Sequence, residues 1–161
     1  LGDHKRVDEP WSHKIEDLFH EINNDLNVKI EKHDRSGYHF KKMDARWGYP
    51  GILLAGVMVP ISALMDPCGD NVALKVTNAV AYASIAIFTA TSQYFNYGKK
   101  AQRHFDISAR YGDVLTDIRI ELVKKPQYRQ AADTFLQRIQ MRIDGLNNSA
   151  PVIPQHIAYK E

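Results

Sequence analysis

Hydrophobic residues in this chain follow two different rules. Between Trp47 and Met65 (WGYPGILLAGVMVPISALM), and again between Val76 and Gly98 (VTNAVAYASIAIFTATSQYFNYG), they run together with no Asp, Glu, Lys, Arg or His among them. Each stretch is about 20 residues, the length a helix rising about 1.5 Å per residue needs to cross about 30 Å of hydrocarbon. The connector, 66–75, is short and carries the turn formers Asp66, Pro67, Gly69, Asp70 and Asn71. A connector of that kind makes the two predicted helices antiparallel neighbours, a transmembrane hairpin.

Elsewhere, apolar positions recur at helical spacing on polar sequence. Ile15, Leu18, Phe19, Ile22 and Leu26 mark an amphipathic helix beginning near Pro10–Ser12, with a break expected at Arg35-Ser36-Gly37. Beyond the second span the helix is expected to run straight on. Phe105, Ser108, Leu115, Ile118 and Leu122 keep its spacing until Lys124-Lys125-Pro126 ends it. A last helix is predicted from about Arg129 to Leu146, striped by Ala132, Leu136, Ile139, Ile143 and Leu146 and stopped by Asn147-Asn148. Pro151 and Pro154 then hold the tail extended. The predicted fold class is all-α. An N-terminal amphipathic helix and lead-in (1–46) precedes the hairpin (47–98, spans 47–65 and 76–98). A helical membrane-proximal region (99–147) and an extended tail (148–161) follow. The apolar stripes outside the hairpin would bury one another as a small helical bundle, or bury against neighbouring chains.

The two spans present different faces. Gly48, Gly51, Ala55 and Ser62 form a small-residue face on the first, where another backbone can come close, and Pro60 is expected to kink it. On the second, Asn78, Tyr82, Thr89, Ser92 and Asn96, with Gln93 beside them, form a polar seam. Lipid cannot satisfy such groups, so the seam is predicted to face protein or water. It either hydrogen-bonds within an assembly or lines a pore.

Charge changes the picture in one respect, topology. Lys41, Lys42 and Arg46 precede the first span and Lys99, Lys100 and Arg103 follow the second, whereas the connector holds Asp66, Asp70 and a single cation, Lys75. Positive residues stay inside, so both termini are expected on the cytoplasmic side. Trp47, Tyr94 and Tyr97 fall at the headgroup level, and the flanking cations can also engage anionic headgroups. A net charge of +2 over 161 residues is too balanced to favour nucleic acid as a partner, and the lone Cys68 excludes an intrachain disulfide. The opening LGDHKRVDEPW has no apolar core of a secretory signal.

Candidate chemistry is sparse. His13, Glu16, Asp17 and His20, with Glu21, share two turns of one helix and are weak metal candidates, with a solvated face the simpler reading, since no HExxH or CxxC accompanies them; Asp66, Asp70 and Asn71 lack the ligand count of a calcium loop and read as a turn. No G-x-S-x-G, phosphate-binding loop or dinucleotide fingerprint is present. No cofactor and no enzymatic activity are expected.

From Lys42 to about Leu122 the chain resembles the SLATT family, the SMODS- and SLOG-associating two-transmembrane effector domains. The resemblance is carried by Arg46-Trp47, the two spans, the aromatic-basic exit from Tyr94 to Lys100, and the run HFDISARYGDVLTDI with His104, Tyr111, Gly112 and Leu115. It implies a non-enzymatic membrane protein, and family members are proposed as effectors or pores. The C-terminal YRQAADTFLQRIQMRIDGLNNSAPVIP resembles the extension of relatives in large DNA viruses and eukaryotes. The expected function is therefore structural: an anchored helical module contacting membrane lipid, copies of itself, or another capsid or coat protein. A virion internal membrane is one such setting, and a pore-forming effector is the alternative.

Overall fold

The computed structural model describes residues 11–65 and 71–158, except the side chains of 62, 63 and 65. The described residues are all-α: α1 (His13–Met65), α2 (Val72–Phe95), α3 (Tyr97–Val123), a 3-10 turn (Pro126–Tyr128), α4 (Ala132–Ser149) and α5 (Gln155–Ala158). The chain divides into two compact units, Leu1–Gly37 with Gln102–Glu161, and Tyr38–Ala101.

The first unit is a three-helix bundle. Residue pairs fix its directions. On α1 and α3, His33 meets His104, the Ile30 carbonyl accepts from the Ser108 hydroxyl, and Glu16 pairs with Arg129 just past α3, so these helices are antiparallel. α4 runs parallel to α1, with Phe135 against Phe19 and Asn147 against Lys29. The predicted stripes supply part of the core, Phe19, Leu26, Leu115, Ile118 and Ile139; Ile107, Tyr111, Val114 and Phe135, which lie outside those stripes, complete it, and Leu18 is exposed. Trp11, Phe19 and Phe135 close one end, with ring centroids 5.2–6.0 Å apart.

Several expectations are corrected here. Arg35-Ser36-Gly37 does not break α1. The Ser36 hydroxyl returns to the Lys32 carbonyl at 2.7 Å, and Gly37 lies against the ring of Phe105. A glycine that reads as a break in sequence is a contact point, because only its missing Cβ lets that ring approach. The helix after the second span does not run straight on. Asn96 adopts the left-handed conformation (φ 49°) and ends α2, its N–H bonded to the Ser92 carbonyl; asparagine is among the few residues that tolerate this geometry. α4 begins at Ala132 and continues through Asn147-Asn148 to Ser149, since Asn147 finds bundle partners in Lys29 and Tyr111. The tail is extended only to Pro154; α5 follows, and its Ile157 is buried.

The second unit contains the C-terminal part of α1, α2, and the first turn of α3. Asn71 caps α2, its side chain accepting from the Leu74 N–H at 3.2 Å, so residues 72–75 are helical rather than connector. Asp66, Pro67, Cys68, Gly69 and Asp70 lie outside the described residues. α1 continues through Pro50 and Pro60; each proline removes one helical donor, leaving the Arg46 and Gly56 carbonyls without it.

Candidate functional site

In the second unit the two helices touch along a narrow line. Gly51 is buried, and a Cβ built on it would lie 3.4 Å from Phe88 Cβ, 3.6 Å from Thr89 Oγ1 and 3.8 Å from the Ile85 carbonyl. At Gly48 the nearest atom is Ser92 Oγ, at 3.9 Å. Ala55 is half-buried, and the Ser62 side chain lies outside the described residues. The polar seam does not share one environment. Asn78 and Ser92 are half-buried, whereas Tyr82, Thr89, Gln93 and Asn96 are exposed.

Apart from these polar groups, what remains outside that line is mostly apolar. Ile52, Leu53, Val57, Val59 and Leu64 on α1, and Val76, Val80 and Ile87 on α2, are all exposed. The helical run Val72–Val123 is the one, among the described residues, long and apolar enough to cross a membrane; its apolar window has mean hydropathy 1.5, and none of that window is buried. The core helix of a water-soluble protein of that hydropathy would instead be turned inward.

The ends of these helices carry the predicted aromatic and basic residues. Trp47 lies 6.3 Å from Phe88, Tyr97 stacks on Phe95 at 5.2 Å, and Tyr94 is exposed. Lys41, Lys42, Arg46, Lys99 and Lys100 are exposed, Lys100 with its ammonium 5.7 Å from the Tyr97 ring centre; Arg103 is exposed on the other unit. One contact here was not foreseen. The Asp44 carboxylate accepts from the Gly98 N–H at 3.1 Å, placing a negative charge at the start of α3, where the helix dipole favours it. Its sequence distance from Gly98 leaves no local signal for it.

No family model, curated protein or solved structure matches this chain.

In the first unit, the resemblance-implied residues His104, Tyr111 and Leu115 are buried, and Gly112 is half-buried with open space beside its Cα. His104 and His33 face each other, Nδ1 to Nδ1, at 3.0 Å. One nitrogen must carry hydrogen and the other a lone pair, so the neutral rings hold opposite tautomers. Burial pushes His104 down to about 4, with His33 adding to the effect; burial also lowers His33, against the opposing charge of Asp34. Both rings are therefore neutral near pH 7. Tyr111 lies against His33, with ring centroids 5.8 Å apart, and its hydroxyl donates to Asn147 at 2.8 Å. Burial, with Asp25 nearby, raises its pKa. Nothing marked His33 in the sequence; its pairing depends on the antiparallel register of α1 and α3.

The four metal candidates are not brought together as a site. Glu16 pairs with Arg129, whose hydrogen bond lowers the Glu16 pKa; His13 is fully exposed and 4.0 Å from Glu16; Asp17 and His20 are exposed. No cluster of three or more ligating side chains occurs among the described residues. Arg129 instead forms a clasp. It donates to the Leu122 carbonyl at 2.7 Å and the Lys124 carbonyl at 2.9 Å, and stacks on Trp11 at 4.9 Å. Beside it, buried Glu121 accepts from the Gln130 N–H and from Lys124. Burial alone would raise its pKa, but these bonds outweigh that and lower it.

Proposed function

We propose that this chain is a non-enzymatic integral membrane protein with a structural role. The α1–α2 hairpin, Trp47 to Gly98, spans the bilayer twice, and the three-helix bundle is an assembly module held at its surface. One observation carries the reading: most of the hairpin's Val, Ile and Leu side chains are exposed, while the bundle buries a core of Phe19, Leu26, Val114, Ile118, Phe135 and Ile139. A contiguous apolar surface on this scale requires a cover, and lipid supplies it for helices of spanning length. The flanking cations favour an orientation with both termini on the cytoplasmic side. The partners are membrane lipid and copies of the chain, with a capsid or coat layer over an internal membrane as the setting implied by the resemblance to viral SLATT-like proteins.

The test is insertion. The protein should resist extraction from membranes by alkaline carbonate and be released by detergent. Cys68 should react with an impermeant maleimide only from the side opposite the termini. Carbonate release, or labelling of Cys68 and the termini from one side, rejects the hairpin.

A second reading has its own support. Tyr82, Thr89 and Gln93 are exposed on α2, although the Thr89 hydroxyl also borders Gly51 of α1. In lipid such groups demand either a neighbouring subunit or a water-filled path. Ion flux through the purified protein in liposomes, lost on Gln93→Leu with Thr89→Val, supports the pore; absence of flux removes it.

A further inference from the structure

The bundle carries two surface features of opposite charge at their rims. The first is a groove between α1 and α4, about 330 Å³, with Leu18, Ile22 and Ile143 as its apolar lining. Glu21, Asp25 and Asp144 stand around it. Asp25 is engaged by Lys29 at 2.9 Å, while no ion pair occupies Glu21 or Asp144 among the described residues. The second is a projection at the end of α3. Val123 is 86% exposed and Ile120 54% exposed, in a helix that otherwise buries its aliphatic side chains at 107, 114, 115 and 118. Arg119 flanks them on the helix, and Lys125 lies just past its end, after Lys124; neither has an ion-pair partner among the described residues. Lys124 is held by Glu121 and is not available.

We infer that the Ile120–Val123 projection of one copy docks in the Leu18–Ile22–Ile143 groove of a second copy, with Arg119 and Lys125 meeting Glu21 and Asp144. This rests on the assembly reading above and names its interface. Apolar meets apolar at the centre and two unpaired cations meet two unpaired anions at the rim, the arrangement that gives an interface its register. Groove and projection are different surfaces of the same chain, so the contact is heterologous. Repetition generates a ring if the rotation closes and an open row if it does not. A contact this small is weak in solution. Anchoring both copies in one membrane confines them and raises their effective concentration, as tethering does for linked modules.

The test uses the full chain in nanodiscs and on vesicles of neutral lipid, with association read by mass photometry and by energy transfer between labelled copies. Glu21→Lys with Asp144→Lys should lower association at least tenfold. Arg119→Glu with Lys125→Glu should do the same, as should Val123→Asp. Mixing the two charge-reversed proteins should restore association between them, because the reversed groove of one now fits the reversed projection of the other. Unchanged helicity confirms that these exposed substitutions leave the fold intact. If the parent chain associates and the variants associate equally, or if the mixture stays apart, the docking is overturned while assembly by another surface stands. If the parent is monomeric at every surface density, self-assembly itself fails. If Arg119→Glu with Lys125→Glu leaves self-association unchanged and abolishes binding to anionic vesicles, the projection is a lipid contact and the docking is rejected.

Discussion

His33 on α1 and His104 on α3 share one hydrogen between their Nδ1 atoms, 3.0 Å apart and buried. The bond survives only while at least one ring is neutral. Both pKa values lie below the ordinary 6.5, that of His104 at about 4, so the unfolded chain takes up protons before the folded one does. The stability contributed by the pair is complete above about pH 6.5 and is lost as the pH falls toward 4. At about 1.4 kcal/mol per pH unit, His104 alone accounts for about 3 kcal/mol. Thermal melts of the full chain in detergent, followed by circular dichroism between pH 4.5 and 7.5, should show this decline. Replacing both rings, His33→Leu with His104→Leu, should flatten the dependence in that window; an unchanged slope would place the acid sensitivity elsewhere.

Gly37 should not accept alanine. A Cβ there would lie 2.7–2.9 Å from three ring atoms of Phe105, so the ring or the helices must move. Overpacking of this kind costs about 1–3 kcal/mol. The gain from replacing glycine in a helix is smaller, about 0.5–1 kcal/mol. Gly37→Ala should therefore lower the melting temperature, and Phe105→Leu in the same chain should recover part of the loss. Stabilisation by Gly37→Ala alone would show that the ring yields freely.

These two sites show where the sequence was legible. Stripes at 15–26, 105–122 and 132–146 stated only roughly which face of each helix turns inward: they held Phe19, Leu26, Leu115, Ile118 and Ile139 but missed Ile107, Tyr111, Val114 and Phe135 and included the exposed Leu18. They did not state register. Whether Ser36-Gly37 interrupts a helix depends on Phe105, which lies far along the chain; by local chemistry alone, a serine and a glycine after an arginine look like a turn. Asn96 erred in the opposite direction, since one residue in the left-handed region leaves no mark in hydrophobic periodicity. The hairpin's Gly48–Gly51–Ala55 face was visible as spacing. The division of the polar seam, with Asn78 and Ser92 half-buried and Thr89 and Gln93 exposed, depends on where α1 lies against α2.

Arg129 should be hard to replace. Its guanidinium serves the Leu122 and Lys124 carbonyls left over at the end of α3 and the Glu16 carboxylate of α1. Helix ends leave such carbonyls without partners, and a planar fork can serve several at once. Arg129→Ala should destabilise the chain by about 2–4 kcal/mol, because it leaves both carbonyls without their donor. Arg129→Lys should restore only a fraction, since one ammonium cannot span the three acceptors. Equal melting temperatures for the lysine variant and the parent would show that charge alone suffices.

Gly51 separates two size limits within the hairpin. Alanine there meets Phe88 Cβ at 3.4 Å, the edge of ordinary contact, and should be tolerated. Leucine extends further into the space held by Phe88, Thr89 and the Ile85 carbonyl and cannot enter while α1 and α2 remain in contact. Helix association in lipid draws mainly on close packing, since burial of apolar surface gains nothing when the alternative is hydrocarbon. Gly51→Leu should thus separate the helices while leaving insertion intact. Cysteines placed at Gly48 and Ser92, in a chain with Cys68→Ser, should crosslink in membranes in the parent and in Gly51→Ala. They should lose crosslinking in Gly51→Leu, with carbonate resistance retained. Equal crosslinking in all three would mean that the glycine face does not hold the hairpin together.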